Sequence, residues 1–266
     1  MDEFKAFLWG KGLSGNTVAA YVFAAEQFLG LFDRVDSDTL ESYRMFLTDT
    51  YSTKTTNLRI NGINSYLEFL GKTDSRVKSV RVQQKPFLEN VISKGECTKL
   101  LSHLGTIDDR RWYFAVRFMM STGARVSELL KLDVADVRKG HIDILSKGNK
   151  LRRIYIPTAL QRSCLTWLAD TGVSEGALFR NSNGTRITAR GLSGRLKAFA
   201  LQCGVNPDVV YPHSFRHRFA KNFLEKSSDI AFLADLMGHE SLETTRIYLR
   251  KTSSEQREAV DSIIDW

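Results

Sequence analysis

Apolar residues recur at helical spacing through the first 71 positions: Phe4, Phe7, Leu8; then Val18, Tyr21, Val22, Phe28, Leu29; then Leu40, Tyr43, Phe46, Leu47; then Leu58, Ile60, Ile63, Tyr66, Leu67, Leu70. The pattern predicts four helices. Ser14 with Thr17 three further on, Ser37 or Asp38, and a position between Ser52 and Thr56 are the expected starts, with Gly30 and Gly71 as stops. Residues 72–86 break the pattern with five basic side chains, one acidic one and few apolar ones, which reads as an exposed linker. Helical spacing resumes from Ser93 to Leu104 and from about Arg110 to Ser121. Ile142 and Ile144 then alternate on one side of Gly148-Asn149, and Ile154 and Ile156 on the other, which predicts a small antiparallel β-element. Further helices are expected at about 159–170, 189–202, 214–225, 229–237, 242–250 and 254–264. The fold class that follows is mainly α: a small all-α domain, 1–75, a basic linker, 76–86, and a larger α+β domain, 87–266, with one small sheet.

Charge sharpens this division. The 266 residues carry a formal net charge of +8. Residues 1–75 hold seven Lys/Arg against ten Asp/Glu, so the remaining 31 and 20 give the rest of the chain +11. Such an excess suits a polyanionic partner, although composition alone does not single out nucleic acid. The longest uncharged run, residues 12–25, is interrupted by Gly, Ser, Asn and Thr and falls short of the roughly 18–20 apolar residues of a membrane span. The start, Met-Asp-Glu-Phe-Lys, does not resemble a secretory signal, so a cytoplasmic protein is expected. Cys97, Cys164 and Cys203 lie far apart with no Cys-x-x-Cys pair, which argues for inert core residues over a disulfide framework or a thiolate zinc site.

Four segments carry candidate chemistry. In Tyr211-Pro212-His213-Ser214-Phe215-Arg216-His217 the proline favours a helix start, so that His213, Arg216 and His217 share a face while Phe215, Phe219 and Phe223 form an apolar stripe. Two imidazoles and a guanidinium near a helix N-terminus make a phosphate site; the alternative is ordinary surface cations. A metal site at His213 and His217 is disfavoured by the intervening guanidinium and the lack of a nearby carboxylate. In the segment from Met237 to Tyr248, Gly238 is a natural helix stop and Ser241 a natural N-cap. That puts His239 in a turn and Tyr248 inside the next helix, where the alternative for Tyr248 is a half-buried structural aromatic. Arg125 follows the small-residue break Thr122-Gly123-Ala124, and Glu128 could fix its guanidinium or form a surface ion pair worth under about 1 kcal/mol. Lys147 occupies the tip of the β-turn, where a lysine is usually just solvated.

Taken together, Arg125 with Glu128 three later, Lys147 in a β-turn, His-x-x-Arg-His at 213–217, Gly238-His239, and Tyr248 nine residues after that histidine resemble the tyrosine recombinase (phage integrase) family. The likeness covers residues 110–250. The four-helix segment with its basic linker is similar to the family's core-binding domain, with Leu13-Ser14, Thr17 and Tyr21 matching its opening pattern. This resemblance implies a site-specific recombinase that cuts and rejoins DNA through a covalent 3′-phosphotyrosyl intermediate. It makes Tyr248 the nucleophile, Arg125 and Arg216 the clamp on the non-bridging phosphate oxygens, and Lys147 the general acid. His213 would assist proton transfer, His239 would bond the phosphate, and Glu128 and His217 would support them.

The implied chemistry suits these residue types. Planar guanidiniums stabilise charge on the equatorial oxygens without a metal, and a tyrosine of reference pKa about 10 needs a base or a strong positive field. The phosphotyrosyl bond conserves energy for religation, so neither metal nor ATP nor another cofactor is expected. No Gly-x-x-x-x-Gly-Lys-Ser/Thr loop is present. The implied partners are double-stranded DNA recombination sites and three further copies of the chain in a tetramer on two sites, with no membrane involvement and nucleoid association when bound. Phe215 and Ala124 depart from the family's commoner residues without touching a catalytic position. Val260, Ile263, Ile264 and Trp266 give the C-terminus an apolar edge that would dock on a neighbouring subunit or pack on its own domain. An accessory factor with a decayed site and a type IB topoisomerase are the rival readings. The filled motif argues against the first, and the short length and helical N-terminal domain against the second. The layout resembles the simpler Xer-like form, without the arm-binding domain of lambda-type integrases.

Overall fold

The computed structural model describes residues 1–81, 90–145, 151–239, 241–249 and 253–264. The chain divides into two compact units, Met1–Gln84 and Lys85–Trp266. Among the described residues no helix is long and apolar enough to cross a membrane.

In the first unit the apolar stripes form four helices, α1 (Asp2–Gly10), α2 (Gly15–Leu31), α3 (Ser37–Thr50) and α4 (Thr53–Phe69). Ser14 and Ser52 cap α2 and α4 as expected, accepting from the N–H groups of Thr17 and Thr55. The cap of α3 is Asp36 instead of Ser37 or Asp38, because Asp36 and Thr39 close a reciprocal capping box. Gly71, with φ +72°, follows the end of α4. Gly30 does not stop α2, since its cost of roughly 1 kcal/mol is outweighed by the burial of Phe28 in the last turns. The core joins Phe28, Leu40, Tyr43, Leu47, Ile60, Ile63 and Leu67, beside a second cluster of Phe4, Leu8, Val18 and Ala25. Tyr43 donates its hydroxyl to Ala24 O and Gln27 Oε1, and burial pushes its pKa up to about 12. The segment expected as an exposed linker departs from that reading. The Asn64 and Asn57 side chains each exchange two hydrogen bonds with the main chain of Val77 and Val80, which ties residues 77–80 to α4 with both valines against the core.

The second unit contains α5 (Lys94–Gly105), α6 (Arg111–Thr122), α7 (Val126–Leu129), α8 (Val134–Lys139), β1 (His141–Leu145), β2 (Leu151–Tyr155), α9 (Thr158–Asp170), α10 (Ala189–Gln202), α11 (Pro212–Leu224), α12 (Ile230–Met237), α13 (Leu242–Arg246) and α14 (Ser253–Ile263). The strands pair antiparallel, with Ile142 opposite Ile154 and Ile144 opposite Arg152. Ile156 lies just beyond β2, and its N–H bonds Gly140 O. Helix α8 was not foreseen, being too short to show a periodicity. The expected helix at 242–250 ends at Arg246 and tightens into a 3-10 turn, Ile247–Leu249, so Tyr248 lies in that turn and not inside the helix.

Phe215 of α11 enters the main core, while Phe219 and Phe223 pack on a smaller cluster of Ala220, Leu233, Met237 and Tyr248. On another side of α11, Ser214 Oγ accepts from Ile92 N and Arg218 donates twice to Ile92 O, fixing the segment that leads into α5. Cys97 and Cys164 are buried with their pKa pushed up to about 12 by desolvation, and Cys203 is half-buried; all three are free.

Candidate active site

The site gathers where α6, α11 and α12 end or begin. Gly123 closes α6 at φ +60°, and a Cβ there would stand 2.6 Å from Phe219 Cε1 and closer still to Cδ1. Only glycine meets both demands, and its carbonyl accepts from Arg216 Nη1. Two residues on, Arg125 is the N-cap of α7. Glu128 accepts from the Arg125 main-chain N at 2.7 Å and from its Nη1 at 2.9 Å. Glu128 is not the partner in a surface ion pair: its side chain is 8% exposed and is shared with a second guanidinium, Arg152 of β2, whose Nη1 lies 2.7 and 2.8 Å from the two carboxylate oxygens. Burial would raise the Glu128 pKa, but the Arg125 N–H and the charges of Arg152 and Arg125 outweigh it and hold the carboxyl below its usual value.

Arg216 and His217 are buried, so the surface-cation alternative fails for them; His213 is exposed, its ring centroid 4.5 Å from that of His217. Arg216 Nη2 donates to Met237 O at 2.6 Å and to His239 Nε2 at 3.0 Å. Burial and the nearby Arg125 lower its pKa to about 10, which leaves it charged at neutral pH. An arginine can only donate, so His239 Nε2 is the acceptor. Its proton therefore sits on Nδ1, which donates to Thr245 Oγ1 at 2.8 Å. Desolvation and the Arg216 and Arg125 charges lower the His239 pKa to about 4, and desolvation with the His213 and Arg216 charges lowers that of His217 to about 3, so both imidazoles are neutral. Nδ1 of His217 is buried with no hydrogen-bond partner among the described residues.

Tyr248 is buried between these rings, with its centroid 4.7 Å from His217 at 65° and 5.9 Å from His239 at 11°. Burial raises its pKa, while the charge and hydrogen bond of Arg216 and the charge of Arg125 pull it back. Burial prevails, so the net shift is upward and the phenol is protonated at neutral pH, with Arg216 and Arg125 as the groups that oppose burial.

The structure brings together Arg125, Glu128, Arg216, His217, His239 and Tyr248 from the sequence-predicted set, with His213 at the rim. Lys147 lies outside the described residues. Sequence reasoning missed Arg152, Thr245 and the steric role of Gly123. For Arg152 a signal existed: it shares the inward face of β2 with Ile154, and a charge at an inward strand position implies a buried partner. Among the described residues no three His, Cys, Asp or Glu side chains converge to hold a metal ion.

Known proteins share this architecture. Residues 90–255 match the phage integrase family. Tyrosine recombinase XerC of Herpetosiphon aurantiacus is 31% identical over 93% of this chain and 89% of its own length. Tyrosine recombinase XerA of Pyrococcus furiosus is 29% identical over 98% and 92%. By fold, the chain resembles the XerH site-specific recombinase in a pre-cleavage complex with a difH substrate, with a TM-score of 0.72 at 20% identity over 94% of this chain and 80% of that one. It also resembles a lambda integrase dimer bound to a COC′ core site, with a TM-score of 0.75 at 14% identity over 96% and 95%. The identity to XerC along nearly the whole chain, together with the match over residues 90–255, makes this protein a member of the phage integrase family, the tyrosine recombinases.

Proposed function

We propose that this site-specific recombinase breaks and rejoins duplex DNA with Tyr248 as its nucleophile. The observation that carries the assignment is the burial of the Tyr248 ring against those of His217 and His239, in a pocket where Arg216 donates to His239 and Arg125 reaches Gly238 O. The Tyr248 oxygen attacks the scissile phosphorus, the bond to the 5′-oxygen breaks, and that oxygen leaves as a hydroxyl after taking a proton. Arg125 and Arg216 hold the non-bridging oxygens as charge builds on them. Lys147 is the general acid, His213 assists the proton leaving Tyr248, and His239 bonds the phosphate. Glu128 orients Arg125, and His217 packs the nucleophile. A 5′-hydroxyl from a second strand then reverses the step and releases the tyrosine, so no external energy source is consumed.

Double-stranded recombination sites are the substrate, and four copies of the chain assemble on two such sites. Val260, Ile263 and Ile264, exposed on and just after α14, support docking of that helix on a neighbouring subunit. The first unit, with residues 77–80 tied to it, forms a core-binding domain that grips the duplex from a locally basic face.

A nicked duplex that loses its short 5′-hydroxyl fragment after cleavage traps the covalent intermediate. The wild-type chain should give an adduct that survives SDS, and Tyr248→Phe should bind the same DNA and give none. An adduct in Tyr248→Phe would remove Tyr248 from the mechanism.

A further inference from the structure

Helix α12 ends in an unusual way. The carbonyls of Ala234 and Asp235 are satisfied by the N–H groups of Gly238 and His239, as expected where a glycine ends a helix at φ +62°. The next three carbonyls are each taken by a different arginine. Leu236 O accepts from Arg152 Nε and Nη2 at 3.1 and 2.6 Å, Met237 O from Arg216 Nη2 at 2.6 Å, and Gly238 O from Arg125 Nη2 at 3.1 Å. Two of these arginines are the proposed phosphate clamp. The third is not, and its side chain is only 5% exposed, against 42% for Arg125.

All three guanidinium nitrogens of Arg152 bond protein: Nη1 both Glu128 oxygens, Nε and Nη2 the end of α12. Its chain also runs against Gly238, where a Cβ would overlap Arg152 Cδ. Glu128 is therefore held from both sides, by Arg152 beneath and Arg125 toward solvent. We propose that Arg152 is a positioning residue for strand cleavage, which pins Glu128 and the α12 terminus so that Arg125, Arg216 and His239 keep a fixed spacing around one phosphate.

The physics gives the direction of the effect. Without Arg152, Glu128 keeps its buried charge with only Arg125 to neutralise it, and Arg125 is drawn inward, away from a phosphate. A buried helix end also loses the donors on Leu236 O, loosening the turn that carries His239. The fork of a guanidinium reaches a carboxylate and a carbonyl at once, which a lysine ammonium does not do with the same geometry. The inference rests on reading Arg125 and Arg216 as the clamp, and the experiment separates the two claims.

The full-length chain is compared with Arg152→Lys and Arg152→Met on the nicked duplex, with single-turnover adduct formation, DNA affinity and melting temperature measured for each. The wild type must form the adduct; if it forms none, the recombinase assignment of this site fails before Arg152 is considered. The expected result is a cleavage rate lower by roughly 10-fold in Arg152→Lys and roughly 100-fold in Arg152→Met, with DNA affinity within about 3-fold of wild type in both. Because Arg152→Met could fail to fold, Arg152→Lys carries the decision: it keeps the charge and loses the fork. Wild-type cleavage by a folded Arg152→Lys overturns the proposal, as does a loss of affinity and melting temperature in step with the loss of rate.

Discussion

The turn at Gly123 sets the sharpest quantitative expectation. Alanine at this position must hold φ near +60°, which costs about 1–2 kcal/mol for a residue with a Cβ. The new methyl group would also overlap the Phe219 ring, 2.6 Å from Cε1, and overpacking of this kind costs about 1–3 kcal/mol. Phe219 is only half-buried and can swing, which favours the lower part of the range, so Gly123→Ala should destabilise the second unit by about 2–3 kcal/mol. Gly30→Ala is the matched control. It lies within α2 with nothing inside 4 Å of the new Cβ, so the same substitution should stabilise the first unit by up to about 0.5–1 kcal/mol. Peptide-resolved hydrogen exchange measures each unit separately, which a single melting curve would not do if the units unfold in separate steps. Loss of stability in the second unit should be accompanied by slower adduct formation, because the carbonyl that Arg216 grips moves with the turn. A Gly123→Ala protein whose second unit stays within about 0.5 kcal/mol of wild type would refute both the strain and the steric argument.

Two other expectations concern the histidines. His217 and His239 have folded pKa values of about 3 and about 4 against about 6.5 unfolded, so the unfolded chain binds more protons between those limits. Their stability contribution is complete above about pH 6.5 and is lost as the pH falls towards 4 and 3, with a slope approaching roughly 1.4 kcal/mol per pH unit for each histidine. Urea unfolding at several pH values should show a shallower acid slope in His217→Gln than in wild type, and equal slopes would contradict the burial of a neutral imidazole. Thr245→Val keeps the shape of a fully buried side chain but removes the partner of His239 Nδ1, so single-turnover cleavage should slow by roughly 10-fold while DNA affinity holds. A cleavage rate equal to wild type would show that the His239 tautomer is not set by Thr245.

Much of the site was legible because its local signals are strong. Gly238 and Ser241 mark the end of one helix and the start of the next, and that break alone lets His239 and Tyr248 meet despite a nine-residue separation. Pro212 likewise marks the start of α11 and so the shared face of His213, Arg216 and His217. The signals failed where two local preferences competed. Gly30 reads as a stop, but a single exposed glycine costs less than the packing of α2 returns. Residues 77–80 read as linker by their charge, yet two asparagines of α4, thirteen and twenty-three residues before the valines they bond, would have to be known as neighbours to see that they are anchored.

Most helix positions and the residue types gathered at the candidate site were legible in the sequence itself, because periodicity, caps and turn residues act within a few positions of one another. Depth and sharing were decided by tertiary structure. Whether Glu128 is a surface partner or a buried hub depends on Arg152, twenty-four positions later on a strand that must first pair with its neighbour. Whether Tyr248 is a half-exposed aromatic or a phenol held in a positive field depends on α11 and α12 closing around it. Burial is the physical reason for both outcomes: it strengthens each charge interaction and fixes each tautomer, and it exists only after distant segments have packed.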